Sequence, residues 1–286
     1  MMYLIKKKLN NNVVLVGDNK GNDLILVGNG IGFDAVVKGV FCRFERVTQT
    51  FVLSKENIKE GFREIVETSD PELVAFLEEV IDDIQHNLNT KLNENIHVTL
   101  IDHVVFAIER QEMGMDFHNP MNADISFIYK KEYEQAKLLV DRLEQKFGVK
   151  LIDDEVGILA IHIHAASHNE SINSSREKIE LIQKTISALY EEFNIEMNTS
   201  SLYHQRLLVH VRYAFERIFS NQPIEIEIIH IIRANYDSEF RRIEKAMKEV
   251  TKEFGIEVPS SEIGYLVLHS LRIMKENSNK CDLDQR

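Results

Sequence analysis

Apolar positions fall first in short clusters and then in long helical stripes along this 286-residue chain. Val13-Val14-Leu15-Val16, Leu24-Ile25-Leu26-Val27 and Thr50-Phe51-Val52-Leu53 are short and rich in β-formers. Asn10-Asn11-Asn12, Asp18-Asn19-Lys20-Gly21-Asn22 and Gly28-Asn29-Gly30 punctuate them as turns, so residues 1–55 read as a small antiparallel all-β domain. A sheet this small has little core of its own, and a partner chain is expected to complete it. Residues 56–70 read as a linker turning helical. Ser69-Asp70-Pro71-Glu72 then marks a helix start: a capping side chain, Pro in the first turn and an acid near the positive helix end. Leu73, Phe76, Leu77, Val80, Ile81, Ile84 and Leu88 follow as one stripe. Further helices are expected at about 97–113, 130–147 and 154–167, then at 177–193, 201–219, 237–254 and 261–276.

Those two sets of helices are copies. His103 and His162 recur 107 residues later as His210 and His269. At the same offset Ala107, Glu109 and Arg110 become Ala214, Glu216 and Arg217, and Glu155, Gly157 and Leu159 become Glu262, Gly264 and Leu266. The connections Asn119-Pro120 and Asn221-Gln222-Pro223 are out of register. So many matches in one register point to a duplicated domain. The expected fold class is therefore α+β multidomain: the all-β domain, then two homologous all-α helical bundles at 71–172 and 173–277, with a polar tail at 278–286.

Composition narrows the class. Two cysteines, Cys42 and Cys281, give no disulfide framework and fit a cytoplasmic protein. No apolar run reaches the ~20 residues of a membrane helix. The net charge of −12 divides unevenly: residues 1–55 carry +4 and the rest −16. A small basic domain on an acidic body suggests that the N-terminal part meets a polyanion.

The candidate chemistry lies in both parts. On its helix His103 stands off the apolar stripe of Ile101, Val104, Val105 and Ile108, with Ala107 and Arg110 on its own face; His210, Ala214 and Arg217 repeat this. Such a histidine is accessible, and an Arg two turns away can pair with an added anion, so Arg110 and Arg217 are candidate phosphate partners. His162 and His269 lie in apolar runs where core packing competes with function. His162, His164 and His168 invite a metal, yet i and i+2 helix residues do not face each other, His164 and His168 have no counterparts in the second copy, and no Cys lies nearby. No metal and no cofactor is expected. No phosphate loop, nucleophile elbow or His-Glu-x-x-His appears, so neither catalytic residues nor an enzyme is expected. In the β-domain, lysines such as Lys7 suit phosphates, Asn side chains such as Asn12 suit base edges, and Phe33 suits stacking on an unpaired base. The rival readings, a plain Asn turn and a core Phe, stand beside these.

The chain resembles the BglG/SacY-type transcriptional antiterminators across nearly its whole length. The resemblance is carried by Lys7-Lys8-Leu9-Asn10-Asn11-Asn12-Val13, Gly28-Asn29-Gly30-Ile31-Gly32-Phe33, Asp102-His103, Asp154-Glu155 through His162, Tyr203 through His210, and Ser261-Glu262-Ile263-Gly264-Tyr265 through His269. It implies an RNA-binding domain that dimerises and holds a leader RNA hairpin through Lys7, Asn12, Gly28, Asn29 and Phe33, preventing a terminator stem. Asn29 departs from the basic residue that many relatives carry there. It also implies two phosphotransferase-system regulation domains, phosphorylated on His103, His162, His210 and His269 by the carrier HPr and a sugar-specific enzyme II. A phosphohistidine carrier would not need the basic β-domain. A DNA-binding activator would need a helix-turn-helix, and none precedes residue 70. Partners are accordingly expected to be RNA, HPr, an enzyme II and a second copy, with no DNA and no membrane insertion.

Overall fold

The computed structural model describes residues 2–35, 37–199, 201–222 and 229–283, with side chains in the last helix as far as residue 275. The chain forms two compact units, Met1–Ser175 and Arg176–Arg286.

The first unit opens with an antiparallel sheet of five strands: β1 (Tyr3–Lys8), β2 (Val13–Gly17), β3 (Asp23–Val27), β4 (Phe41–Cys42) and β5 (Gln49–Leu53), ordered β4-β1-β2-β3-β5. Of these, β1 and β4 were not evident in the sequence, because β1 ends in three lysines and β4 is two residues long. β2 and β3 are buried at every position. Alternation along a strand sends Val14, Val16, Leu24 and Leu26 into a cluster with Ile5, Ile31 and Phe44. Val13, Leu15, Ile25 and Val27 are buried on the opposite face. On the helical side, α2 (Pro71–Leu88) packs on β2 and α1 (Glu56–Thr68) on β5, so helices of the same chain add to the small core of the sheet.

The stretch read as a linker is thus mostly helix α1, whose Ile58, Phe62, Ile65 and Val66 are buried at helical spacing. From α1, Arg63 reaches Asp23 on β3, with Nε at 3.0 Å and a terminal guanidinium nitrogen at 2.7 Å from Oδ2, and Lys6 takes Oδ1. Asp23 is fully buried, and the paired cations offset a desolvation cost of several kcal/mol. The start of α2 is capped by Asp70, whose side chain accepts from the Glu72 N–H at 2.9 Å.

Four helices complete the unit: α3 (Ile96–Glu112), α4 (Asn122–Ile128), α5 (Lys130–Phe147) and α6 (Asp153–Ser167). α6 packs against α3, α4 and α5 and is buried continuously from Glu155 to Ala166, which explains its apolar run. The second unit repeats the plan. After α7 (Ile172–Glu192) come α8 (Leu202–Phe219), α9 (Ile229–Asn235), α10 (Asp237–Thr251) and α11 (Ser260–Leu283), and α11 packs on α8, α9 and α10. The repeated glycines now have a reason. A Cβ on Gly157 would lie 2.5 Å from Asn122 on α4, and one on Gly264 would overlap Ile229 on α9. The short helices α4 and α9 escaped the sequence reading because each is a seven-residue element beside an out-of-register connection. α11 also runs to Leu283, into the stretch read as a polar tail; residues 284–286, like Pro223, lie outside the described residues.

Candidate functional site

In the first unit, α3 and α6 bring His103 and His162 together, with ring centroids 5.0 Å apart. His103 Nε2 lies 2.9 Å from a carboxylate oxygen of Glu155, and Arg110 pairs with the other oxygen. One buried carboxylate on α6 therefore holds both the histidine and the arginine of the α3 face. Arg110 also lies over the Phe117 ring, 4.0 Å from its centroid. This corrects the expectation that the His103 face is open. Ala107 is buried and the His103 side chain only 16% exposed, because a bundle helix buries more than one stripe and this face meets α6.

In the second unit, α8 and α11 stack His210 on His269 at 3.8 Å, and Tyr265 meets both rings edge-on. Arg217 grips Glu262 with two bonds of 2.8 and 2.6 Å, and Glu262 is fully buried. Ala214 is buried here too. Burial, reinforced by Arg217, Arg272 and Arg206, lowers the His210 pKa. Burial also lowers that of His269 to about 4, with His210, Arg272 and Arg206 adding to it. Both rings are neutral at neutral pH and keep a nucleophilic lone pair. Such a ring can accept a phosphoryl group, and the surrounding guanidinium groups suit the charge it adds.

Sequence reasoning named the four histidines and the two arginines but gave no role to Glu155, Glu262, Arg206 or Arg272. The glutamates were visible as an in-register pair. The latter arginines were not, because the first copy has Thr99 and Ala165 at those positions. A further buried pair was also missed. His97 Nδ1 lies 2.8 Å from Glu78, both fully enclosed, with Phe51 of β5 4.4 Å from the His97 ring. At the 107-residue offset stand Thr185 and His204, and His204 Nδ1 lies 3.2 Å from the Tyr190 hydroxyl. Among the described residues, Glu132, His164 and His168 could hold a metal ion.

On the sheet, the proposed RNA residues converge at one end. Asn12 Oδ1 accepts from the Gly30 N–H at 3.0 Å, and the Gly28 N–H donates to the Asn12 carbonyl at 2.9 Å. These bonds join the β1–β2 turn to the Gly28–Phe33 loop. Gly28 is buried, and a side chain there would strike the Arg46 backbone. Asn29 is exposed and Phe33 is 64% exposed, with Lys8 Nζ 5.4 Å from the Phe33 ring centroid, so the core reading of Phe33 fails. Lys7 and Asn12 face the helices instead: Lys7 donates to the Val66 carbonyl, and Asn12 Nδ2 donates to Glu79 at 3.0 Å.

Comparison with known proteins agrees with this division. The CAT RNA binding domain family matches residues 3–60, and the PRD domain family matches twice, at 78–166 and 173–272. The chain is 28% identical over 275 residues to "Transcription antiterminator LicT" of Bacillus subtilis (strain 168), spanning 95% of this chain and 99% of that one. It is 25% identical over 284 residues to the "GlcA/glcB genes antiterminator" of Staphylococcus carnosus (strain TM300), spanning 98% and 99%. A crystal structure of GlcT CAT-PRDI superposes with a TM-score of 0.51 at 34% identity, covering 58% of this chain and 99% of that one. A sheet matched as RNA-binding, followed by two matched regulation domains, defines an RNA-binding transcription regulator. The chain belongs to the BglG/SacY family of antiterminators. No helix among the described residues is long and apolar enough to cross a membrane.

Proposed function

We propose that this chain is a cytoplasmic antiterminator of a sugar-utilisation operon. It binds a leader RNA hairpin as a homodimer and keeps the terminator stem from forming. Phosphorylation of His103, His162, His210 and His269 by HPr and a sugar-specific enzyme II of the phosphotransferase system regulates it. The observation that carries the reading is the joint presence of an RNA-binding sheet and two histidine pairs in register, each with an arginine and a buried glutamate.

The chemistry supports it. A phosphate adds roughly −1.5 to −2 charges at neutral pH. Beside His210 and His269 it meets Arg206, Arg217 and Arg272, which already act on those rings. Beside His103 it meets the Glu155 carboxylate, so repulsion favours transfer of Arg110 from Glu155 to the phosphate. The first unit thus has a local rearrangement by which charge can move a helix contact, and the second a ready-made set of cations. On the RNA side, Phe33 and Asn29 are presented outward, whereas Lys7 and Asn12 must leave Val66 and Glu79 to reach a hairpin.

Filter binding with the hairpin upstream of the neighbouring sugar operon tests the RNA role. Phe33→Ala is expected to weaken binding by about 1–3 kcal/mol, the worth of one base stacked on an aromatic ring. Equal binding by wild type and variant removes Phe33 from the interface. Mass analysis after incubation with phosphorylated HPr, under non-acidic conditions, tests the four histidines. Phosphate confined to other histidines overturns the assignment, and light scattering of the protein with and without RNA tests the dimer.

A further inference from the structure

We propose that Glu132, His164 and His168 form a binding site for a single divalent transition-metal ion, Zn2+ by its ligand chemistry, clasping the start of α5 to the end of α6. The site is separate from the phosphoryl chemistry proposed for His103 and His162. One ligand atom from each of the three residues lies within 4.8 Å of the other two. His164 and His168 are one helical turn apart, with ring centroids 4.0 Å apart. Glu132 supplies an oxygen 3.1 Å from His164 Nδ1. Ligand atoms about 2.0–2.1 Å from a tetrahedral zinc sit roughly 3.3–3.4 Å from one another, so a small closure around the ion completes the geometry. The ion takes the place of the proton shared by His164 and Glu132.

The surroundings orient the ligands as metal sites require. His168 Nδ1 lies 3.1 Å from the His164 carbonyl and 3.1 Å from Ser167 Oγ. Donation to that carbonyl fixes the tautomer and leaves Nε2 as the coordinating atom. The Tyr129 ring stacks on His164 at 3.6 Å and 15°. His164 is buried, so water does not compete for its ring nitrogen. His168 is exposed, which leaves room for water as a fourth ligand. The bundle itself does not demand these histidines: in the second copy Leu271 and Lys275 take their places, while Glu239 matches Glu132. The sequence sets metal aside on the His162–His164 spacing, the missing counterparts in the second copy and the lack of a nearby Cys; the structure brings in Glu132 from another helix.

The test is titration calorimetry of the full chain with Zn2+ alone, against Glu132→Gln and the double variant His164→Leu/His168→Lys. The double variant installs the residues of the second copy and so preserves a bundle that this chain already folds. Wild type is expected to bind one Zn2+ per chain, with both variants losing that equivalent and hydrogen exchange in α5 and α6 slowed by zinc only in wild type. Unchanged stoichiometry in the variants places zinc elsewhere and overturns the proposal, as does wild type that takes up none. Phosphorylation by HPr persisting in the double variant keeps this result distinct from the proposed regulation.

Discussion

The two helical units share a plan but not an electrostatic environment. In the first, a buried glutamate touches both His103 and Arg110, and the histidine rings lie 5.0 Å apart. In the second, the rings close to 3.8 Å, Arg217 holds the glutamate with both oxygens, and two more arginines act on the pair. Duplication kept the backbone and the histidines, while the exchanges Thr99/Arg206 and Ala165/Arg272 put two further positive charges beside the second pair. Backbone packing is a requirement of the whole core, whereas local charge answers to a few side chains and diverges independently.

The largest expected contrast is in stability, at the other in-register histidines. His97→Ala leaves the Glu78 carboxylate buried without its partner, which costs about 3–5 kcal/mol. His204→Ala removes a contact to a neutral tyrosine hydroxyl and costs about 1–3 kcal/mol. Urea unfolding of both variants decides, and equal losses erase the distinction between the copies.

The next contrast is in pH. A histidine whose folded pKa lies below its ordinary value binds fewer protons folded than unfolded, so its contribution is present at neutral pH and lost as pH falls. For His269 the window runs from 6.5 down to about 4; the full shift would be worth roughly 3 kcal/mol, and solvent screening of this partly exposed site reduces it to about 2 kcal/mol. Unfolding monitored in the second unit between pH 7 and pH 4 should show that slope, and His269→Gln should flatten it. A slope that survives the substitution transfers the effect to another group.

The smallest effect is expected from making the second site resemble the first. Arg206→Thr with Arg272→Ala should raise the His269 pKa only part of the way back, because burial is the larger cause. Imidazole titration by NMR measures it. Full recovery to the ordinary histidine value reverses that ranking and makes the arginines dominant.

Much of this was legible in the chain because periodicity and repetition act over many residues. The stripe from Leu73 to Leu88, the Asp70 cap and the 107-residue register all correspond to elements of the structure. What escaped notice depends on distant pairing. β4 is held by β1 rather than by its own two residues. The enclosure of His103 depends on α6, which begins 50 residues further along the chain. The Glu132–His164 contact joins residues 32 apart on different helices. Helical spacing says which residues share a face; it does not say which face another helix will cover.

If Lys7 and Asn12 hold RNA as proposed, their bonds to Val66 and Glu79 make the chain its own competitor for it. The competing groups follow the sheet by a short connection at Ser54 and Lys55, so they are present at an effective concentration on the order of millimolar, whatever the amount of protein in the cell. A hairpin using Lys7 and Asn12 therefore binds with its intrinsic constant divided by the fraction of chains in which these bonds are open. Altering that fraction changes the RNA concentration needed for occupancy without altering any atom of the RNA-binding surface.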